Sequence, residues 1–392
     1  MQTSTKNARQ SNLKFPAFDL AKLLKTVFNP QSGEKIAILI DLKNPREIVD
    51  FAFLKNKKLS VQKKAYEIFF QGIEKSLKKD LRLSACDIFA YEATGGSNLE
   101  LPSTAITTDG KKVSLENDIY RHYDIILFIT DFSATAPATA AAKKYGFRGA
   151  TMHGINDIIL SSGLAVDYRQ VSQEAEKLRQ GMTHADSADI DFEVNHKKYH
   201  LHIDLGRQDA QKSHGICHEA PDIVNLPAGE VYFVPLNAQG DFPLKFEEDG
   251  KTLGLMHVEN GRVQKVTLIS GNQKLIDEMQ NKLDTDPATG LLGELGFGTQ
   301  ELPYSGCDIQ DEKIFGTFHI ATGRNDHLSG QITKDKFKSL KNASHDDILF
   351  SSTKTPEIQV KKVVLNRNGK ALTIIENYEP TDYLLGLKER HA

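Results

Sequence analysis

The chain has 392 residues, 49 of them Lys or Arg and 52 Asp or Glu, and its net charge is −3. That balance excludes the clustered positive charge a phosphate backbone needs, so nucleic acid is not expected as a partner. With 39% hydrophobic and 26% charged residues the composition is that of a soluble globular protein with room for two domains.

The N-terminal stretch MQTSTKNARQSNLKFP has no apolar core of the kind a secretory signal carries. No window approaches the ~18 consecutive apolar residues of a membrane span. Cys86, Cys217 and Cys307 are too widely spaced for a zinc knuckle or a CxxC pair and fit a reducing compartment. A cytoplasmic protein without membrane contact is expected.

A short amphipathic helix is expected near Ala17–Phe28. Lys35–Leu42 (KIAILIDL) is an almost unbroken apolar run, the mark of a strand buried on both faces. PREIVDFAFLK follows as a helix opened by Pro45. Val61–Leu77 carries apolar residues at helical spacing. Cys86–Tyr91 and Asp124–Thr130 (DIILFIT) read as strands, and a helix beginning at Pro137 stops at Gly146. A short strand, GATMH, follows it. Alternating apolar strands and helices imply a doubly wound α/β domain over residues 1–166. The loops ATGGS (93–97) and 131–136 belong at the carboxyl ends of its strands. Neither is a GxGxxG or a P-loop, so they read as turns.

From residue 167 to 392 the pattern changes. A helix, QVSQEAEKLRQ, leads into short alternating segments: DFEVNH, KYHLHIDL, EVYFVP, TLGLMHV and RVQKVTLI. Asn260-Gly261, Asp249-Gly250 and Asn368-Gly369 are hairpin signals. This half is expected to be mainly antiparallel β, with helices at Gln273–Leu283 and Tyr383–Arg390. The fold class is therefore α/β plus α+β, the second domain carrying the chemistry.

Twelve of the thirteen histidines follow Gly149. His200 and His202 share a strand face and could hold a metal, but such pairs usually face solvent. His214 and His218 in HGICHE have chelating spacing only on a helix, which Gly215 opposes. His257, alternating with apolar residues, reads as structural. His345 and Asp347 are two apart in SHDDILF and together make a first-row divalent site. Glu294 lies in LLGELGFGTQ, where glycines permit close backbone approach. His319 sits in the alternating strand IFGTFHIATG, and Glu230 opens EVYFVP.

Read together, LPAGEVYFVP, GELGFGTQ, DEKIFGTFHIATG and SHDDILF resemble the thermophilic-type metallo-aminopeptidases, the aminopeptidase T and S family, over Pro221–Phe350. The resemblance implies Glu230, Glu294, His319, His345 and Asp347 as ligands of two divalent ions (zinc, cobalt, manganese or iron), with Glu294 bridging. It implies hydrolysis of N-terminal residues from small peptides by a metal-activated water, with Glu230 as proton acceptor, and a homodimer. The pattern departs at Asp326, where the peptidases carry a tyrosine seven residues after the histidine. The adjacent His327 is the candidate to stabilise an oxyanion in its place. The same superfamily includes an iron-dependent ring-cleaving dioxygenase of dihydroxypyridine with one metal, which is the alternative expectation. A catalytically inactive metal-binding homologue is the third.

Overall fold

The computed structural model describes residues 13–389. The chain divides into two units. The first comprises Met1–Ser172, His214–Ala228 and Glu301–Asp311; the second comprises Gln173–Ser213, Gly229–Gln300 and Glu312–Ala392. A single cut at 166 was expected. Two later segments return to the first unit because their partners are there. Asp222–Asn225 pairs beside Arg148–Thr151, and Gln310 donates to the Ser162 hydroxyl.

The first unit is built on a seven-stranded sheet. Its strands are β1 (Lys35–Leu42), β2 (Ala85–Glu92), β3 (Thr104–Thr107), β4 (Lys112–Ser114), β5 (Ile125–Phe128), β6 (Arg148–Thr151) and β10 (Asp222–Asn225). The order is β10-β6-β5-β1-β2-β3-β4, parallel from β10 to β2 and antiparallel at the β3–β4 edge. β1 shows why the run KIAILIDL reads as it does. Ile36, Ile38 and Ile40 enter one apolar cluster, while Ala37 and Leu39 enter another on the opposite face. Both faces are covered, as in doubly wound sheets.

The expected helix over 45–55 is instead two short turns broken at Val49–Phe51, where Asp50 and Phe51 have φ of 49° and 55°. Ile48 and Phe53 are both buried. Five residues apart, they cannot share one face of a continuous helix, and the break turns both inward.

One ion pair ties this unit together. The Arg148 guanidinium donates to both Glu34 oxygens at 2.8 and 2.9 Å, the side chains being 6% and 16% exposed. Burial pushes the Glu34 carboxyl up, but the Arg148 hydrogen bonds outweigh it and its pKa lies below 4.5. A carboxyl depressed on folding stabilises above its unfolded pKa, and that stability is lost as pH falls through the folded value. Glu34→Gln is expected to lower unfolding free energy by about 3 kcal/mol near neutrality. The gap to wild type should close as pH drops below 4.5, as read by urea unfolding with far-UV dichroism. A gap that does not change with pH would contradict it.

The second unit holds two antiparallel sheets. The larger contains β7 (Ser187–Val194), β8 (Lys197–Asp204), β12 (Asn237–Lys245), β13 (Leu253–Glu259), β14 (Arg262–Ser270), β18 (Gln359–Arg367), β19 (Lys370–Glu376) and β20 (Glu379–Pro380). Its order is β14-β13-β12-β8-β7-β18-β19-β20. The smaller contains β9 (Gln211–Ser213), β11 (Glu230–Phe233), β15 (Leu292–Gly298), β16 (Phe318–Gly323) and β17 (His345–Phe350), ordered β17-β16-β15-β11-β9. They share one apolar cluster, in which Phe192 of β7 lies 5.1 Å from Phe350 of β17, centroid to centroid.

Asn260-Gly261 and Asn368-Gly369 make two-residue hairpins with both residues at positive φ. Asp249-Gly250 does not. It lies in a longer connection, where the Asp249 carboxylate accepts from the amides of Lys251 and Thr252. The helix expected at Gln273–Leu283 forms over Gln273–Thr285, capped by the Asn272 side chain. The last helix runs Asp382–Glu389, and Arg390 lies outside the described residues. Among the described residues, no helix is long and apolar enough to cross a membrane.

Candidate metal centre

The period of a strand sorts the smaller sheet into two faces. Val231, Phe233, Leu295, Phe297, Phe318, Ile320 and Phe350 alternate onto the apolar cluster. The intervening residues carry the chemistry. The register sets Glu230 opposite Gly298, Glu294 opposite Ala321, Ala321 opposite Asp347, and Gly323 opposite His345. Glu230, Glu294, His319, His345 and Asp347 thus share one face, where Gly296, Gly298, Ala321 and Gly323 are among their cross-strand partners.

LGELGFG, Leu292–Gly298, is a strand. Its glycines serve a neighbour and not a ligand: a Cβ on Gly296 would lie 2.2 Å from the His319 ring directly across. Gly296 is therefore the space into which His319 folds. A register shift between Leu292 and Glu294 re-aims the carboxylate at the same spot.

His345 Nε2 is 3.0 Å from Glu294 Oε2 and 3.1 Å from Asp347 Oδ1. His319 Nε2 is 3.4 Å from Glu294 Oε1 and 3.9 Å from Asp347 Oδ1. Such spacings match donors around a small cation, whose ligands stand about 2.1 Å from it. Glu294 Oε1 and Asp347 Oδ1 are buried atoms that accept no hydrogen bond. Unsatisfied buried carboxylate oxygens beside imidazole nitrogens fit a divalent ion. Three-donor groups form from Glu294, His345 and Asp347, from Glu230, Glu294 and His319, and from Glu312, His319 and Asp347. The Asp347 side chain is 28% exposed and opens the group to solvent.

Electrostatics bear on the same atoms. Burial alone would lower the His319 pKa, but Glu294, Glu230 and Asp347 raise it to about 10. Burial likewise opposes, and Asp347 and Glu294 overcome it, to raise His345 well above its usual range. Burial raises Glu294, and the two imidazoles bring it well below the usual carboxylate range. Without metal the imidazoles hold the positive charge among these carboxylates, which a divalent ion supplies when bound. His345 Nδ1 donates to the Arg324 carbonyl at 2.6 Å, which aims Nε2 at the group.

Two residues escaped the sequence reading. Glu312 joins the third donor group, and Lys313, 2% exposed, pairs with both Glu230 and Glu312. Burial pushes Glu230 up to about 8 against the pull of Lys313. Their signal was present in DEKIFGTFHIATG, but a charged pair before an apolar strand reads as solvated.

Asp326 is held by the Arg324 guanidinium at 2.7 and 3.1 Å. His327 stands edge-on to His345, ring centroids 4.9 Å apart. Burial, then the charge of His345, lowers its pKa to about 3, so it is neutral, and its Nδ1 is buried without a partner.

His200, His202, His214, His218 and His257 make hydrogen bonds or ion pairs away from this group. His200 and His202 are exposed and pair with Asp191 and Asp189. His257 bridges Asp241 and Thr267. His218 donates to the Thr26 carbonyl and His214 meets the Ser172 hydroxyl, so the two do not converge on a metal.

No family model and no curated protein matches the sequence. The fold is similar to 2,5-dihydroxypyridine dioxygenase from Pseudomonas putida KT2440. The TM-score is 0.61 at 14% identity, covering 93% of this chain and 97% of that one. At that identity the likeness establishes the fold alone.

Proposed function

We propose that this chain is a mononuclear, metal-dependent oxygenase that opens a dihydroxylated aromatic ring with O₂. The observation that carries the reading is that His319 and His345 each stand 3.0–3.9 Å from both the Glu294 and Asp347 carboxylates, which can share an ion. Two histidines with a carboxylate and an open side are the ligand type of non-haem Fe(II) oxygenases. The neighbouring fold is that of a protein named as a dioxygenase of a dihydroxylated pyridine, which supports the same substrate class.

Ferrous iron held there supplies the one-electron chemistry that lets O₂ react with an aromatic diol. The chain's own groups do the rest. Arg324 fixes the tautomer and direction of His345 through its carbonyl. Asp347, partly exposed, lies on the side from which a substrate enters. His327, neutral and with a free Nδ1, holds a substrate hydroxyl by a hydrogen bond rather than carrying charge. Both oxygen atoms enter the product, so no external reductant is consumed.

The two-ion aminopeptidase remains a second reading because Glu294 belongs to two of the three-donor groups, as a bridging carboxylate does. One assay separates them. Iron-loaded protein is expected to consume O₂ with catechols or pyridine diols and to leave aminoacyl-p-nitroanilides intact. EDTA-sensitive release of nitroaniline without O₂ uptake would reverse the choice.

A further inference from the structure

We infer that Lys313 is a built-in substitute for a second divalent ion, a device that keeps the centre mononuclear. The inference rests on the single-ion reading above and adds what enforces it. Glu230 and Glu312 each belong to a three-donor group that also contains His319. Those two groups are where a further cation would sit. The Lys313 ammonium instead pairs with a carboxylate oxygen of each.

Its placement is set by the backbone. A Cβ on Gly298 would lie 2.2 Å from the Ile314 carbonyl and 2.6 Å from the Lys313 carbonyl carbon. Only glycine there admits the 313–314 segment over the strand. The Lys313 carbonyl accepts from the Gln300 amide at 2.8 Å, and Gln300 bridges to Ile314. Gly298 is also the register partner of Glu230. One close approach therefore brings the lysine to Glu230. Buried carboxylates need a countercharge. The ammonium supplies it to Glu230 and Glu312, and repels a second cation from the same oxygens.

The test is metal stoichiometry. Full-length protein saturated with Mn²⁺, freed of excess by gel filtration and read by mass spectrometry of the metal, is expected to hold one ion per chain. Lys313→Met is expected to hold two and Lys313→Arg one. Lys313→Met at one ion, with wild type also at one, overturns the inference and leaves the single-ion reading standing. Wild type at two removes that reading itself. Should Lys313→Met fail to fold by dichroism, Glu230→Gln decides. It is expected to bind Mn²⁺ within about threefold of wild type, because Glu230 serves the lysine; a loss of about tenfold or more overturns the inference.

Discussion

Glu294→Gln is expected to keep the wild-type dichroism and to weaken divalent-metal binding by more than ~100-fold, beyond the 10–100-fold loss usual for outer partners of a ligand. The amide is isosteric, and β15 keeps its backbone pairing to β11 and β16. What disappears is the anionic charge on two oxygens, one against His345 Nε2 and one unsatisfied beside His319. Oxygen uptake by the iron-loaded protein should fall with the metal. Titration calorimetry with Mn²⁺ reads the binding without any turnover. Binding within tenfold of wild type would mean that the ion, if any, lies elsewhere.

Phe318→Ala is expected to lower unfolding free energy by about 3–5 kcal/mol, the range for a buried phenylalanine. Phe318 is fully buried and stacks on Phe350 with centroids 4.9 Å apart and planes 17° from parallel. It also meets Phe192 and Phe297 at 6.3 Å each. A cavity there would loosen β16 directly beneath His319, so metal affinity should fall along with stability. Phe318→Leu, which keeps most of the volume, should cost less than half as much. The chain has no tryptophan, so urea unfolding is followed by far-UV dichroism. Equal, small losses for both variants would contradict this account of the core.

Local chemistry was legible in the sequence wherever it was also local in cause. KIAILIDL announced a strand covered on both faces, and the Asn-Gly pairs announced their hairpins. The mixed architecture followed from these periods. The five candidate ligand positions came from resemblance of whole segments; as isolated residues, Glu230 and His319 carried no such signal.

What stayed hidden depends on contacts between distant residues. Nothing near Gly296 says that it makes room for His319 across a strand pair. Lys313 reaches Glu230 across 83 residues of chain, so its bearing on the number of ions could not be read from DEKIFG. The return of Asp222–Asn225 to the first unit's sheet is another such pairing, and it makes that unit discontinuous in sequence.

The proposed function places one divalent ion among Glu294, His319, His345 and Asp347. Anomalous diffraction from crystals loaded with iron or manganese locates and counts it. One peak per chain is expected, about 2.1 Å from donor atoms of these residues, with Lys313 still on Glu230. Two peaks bridged by Glu294, or none in the group, would contradict it.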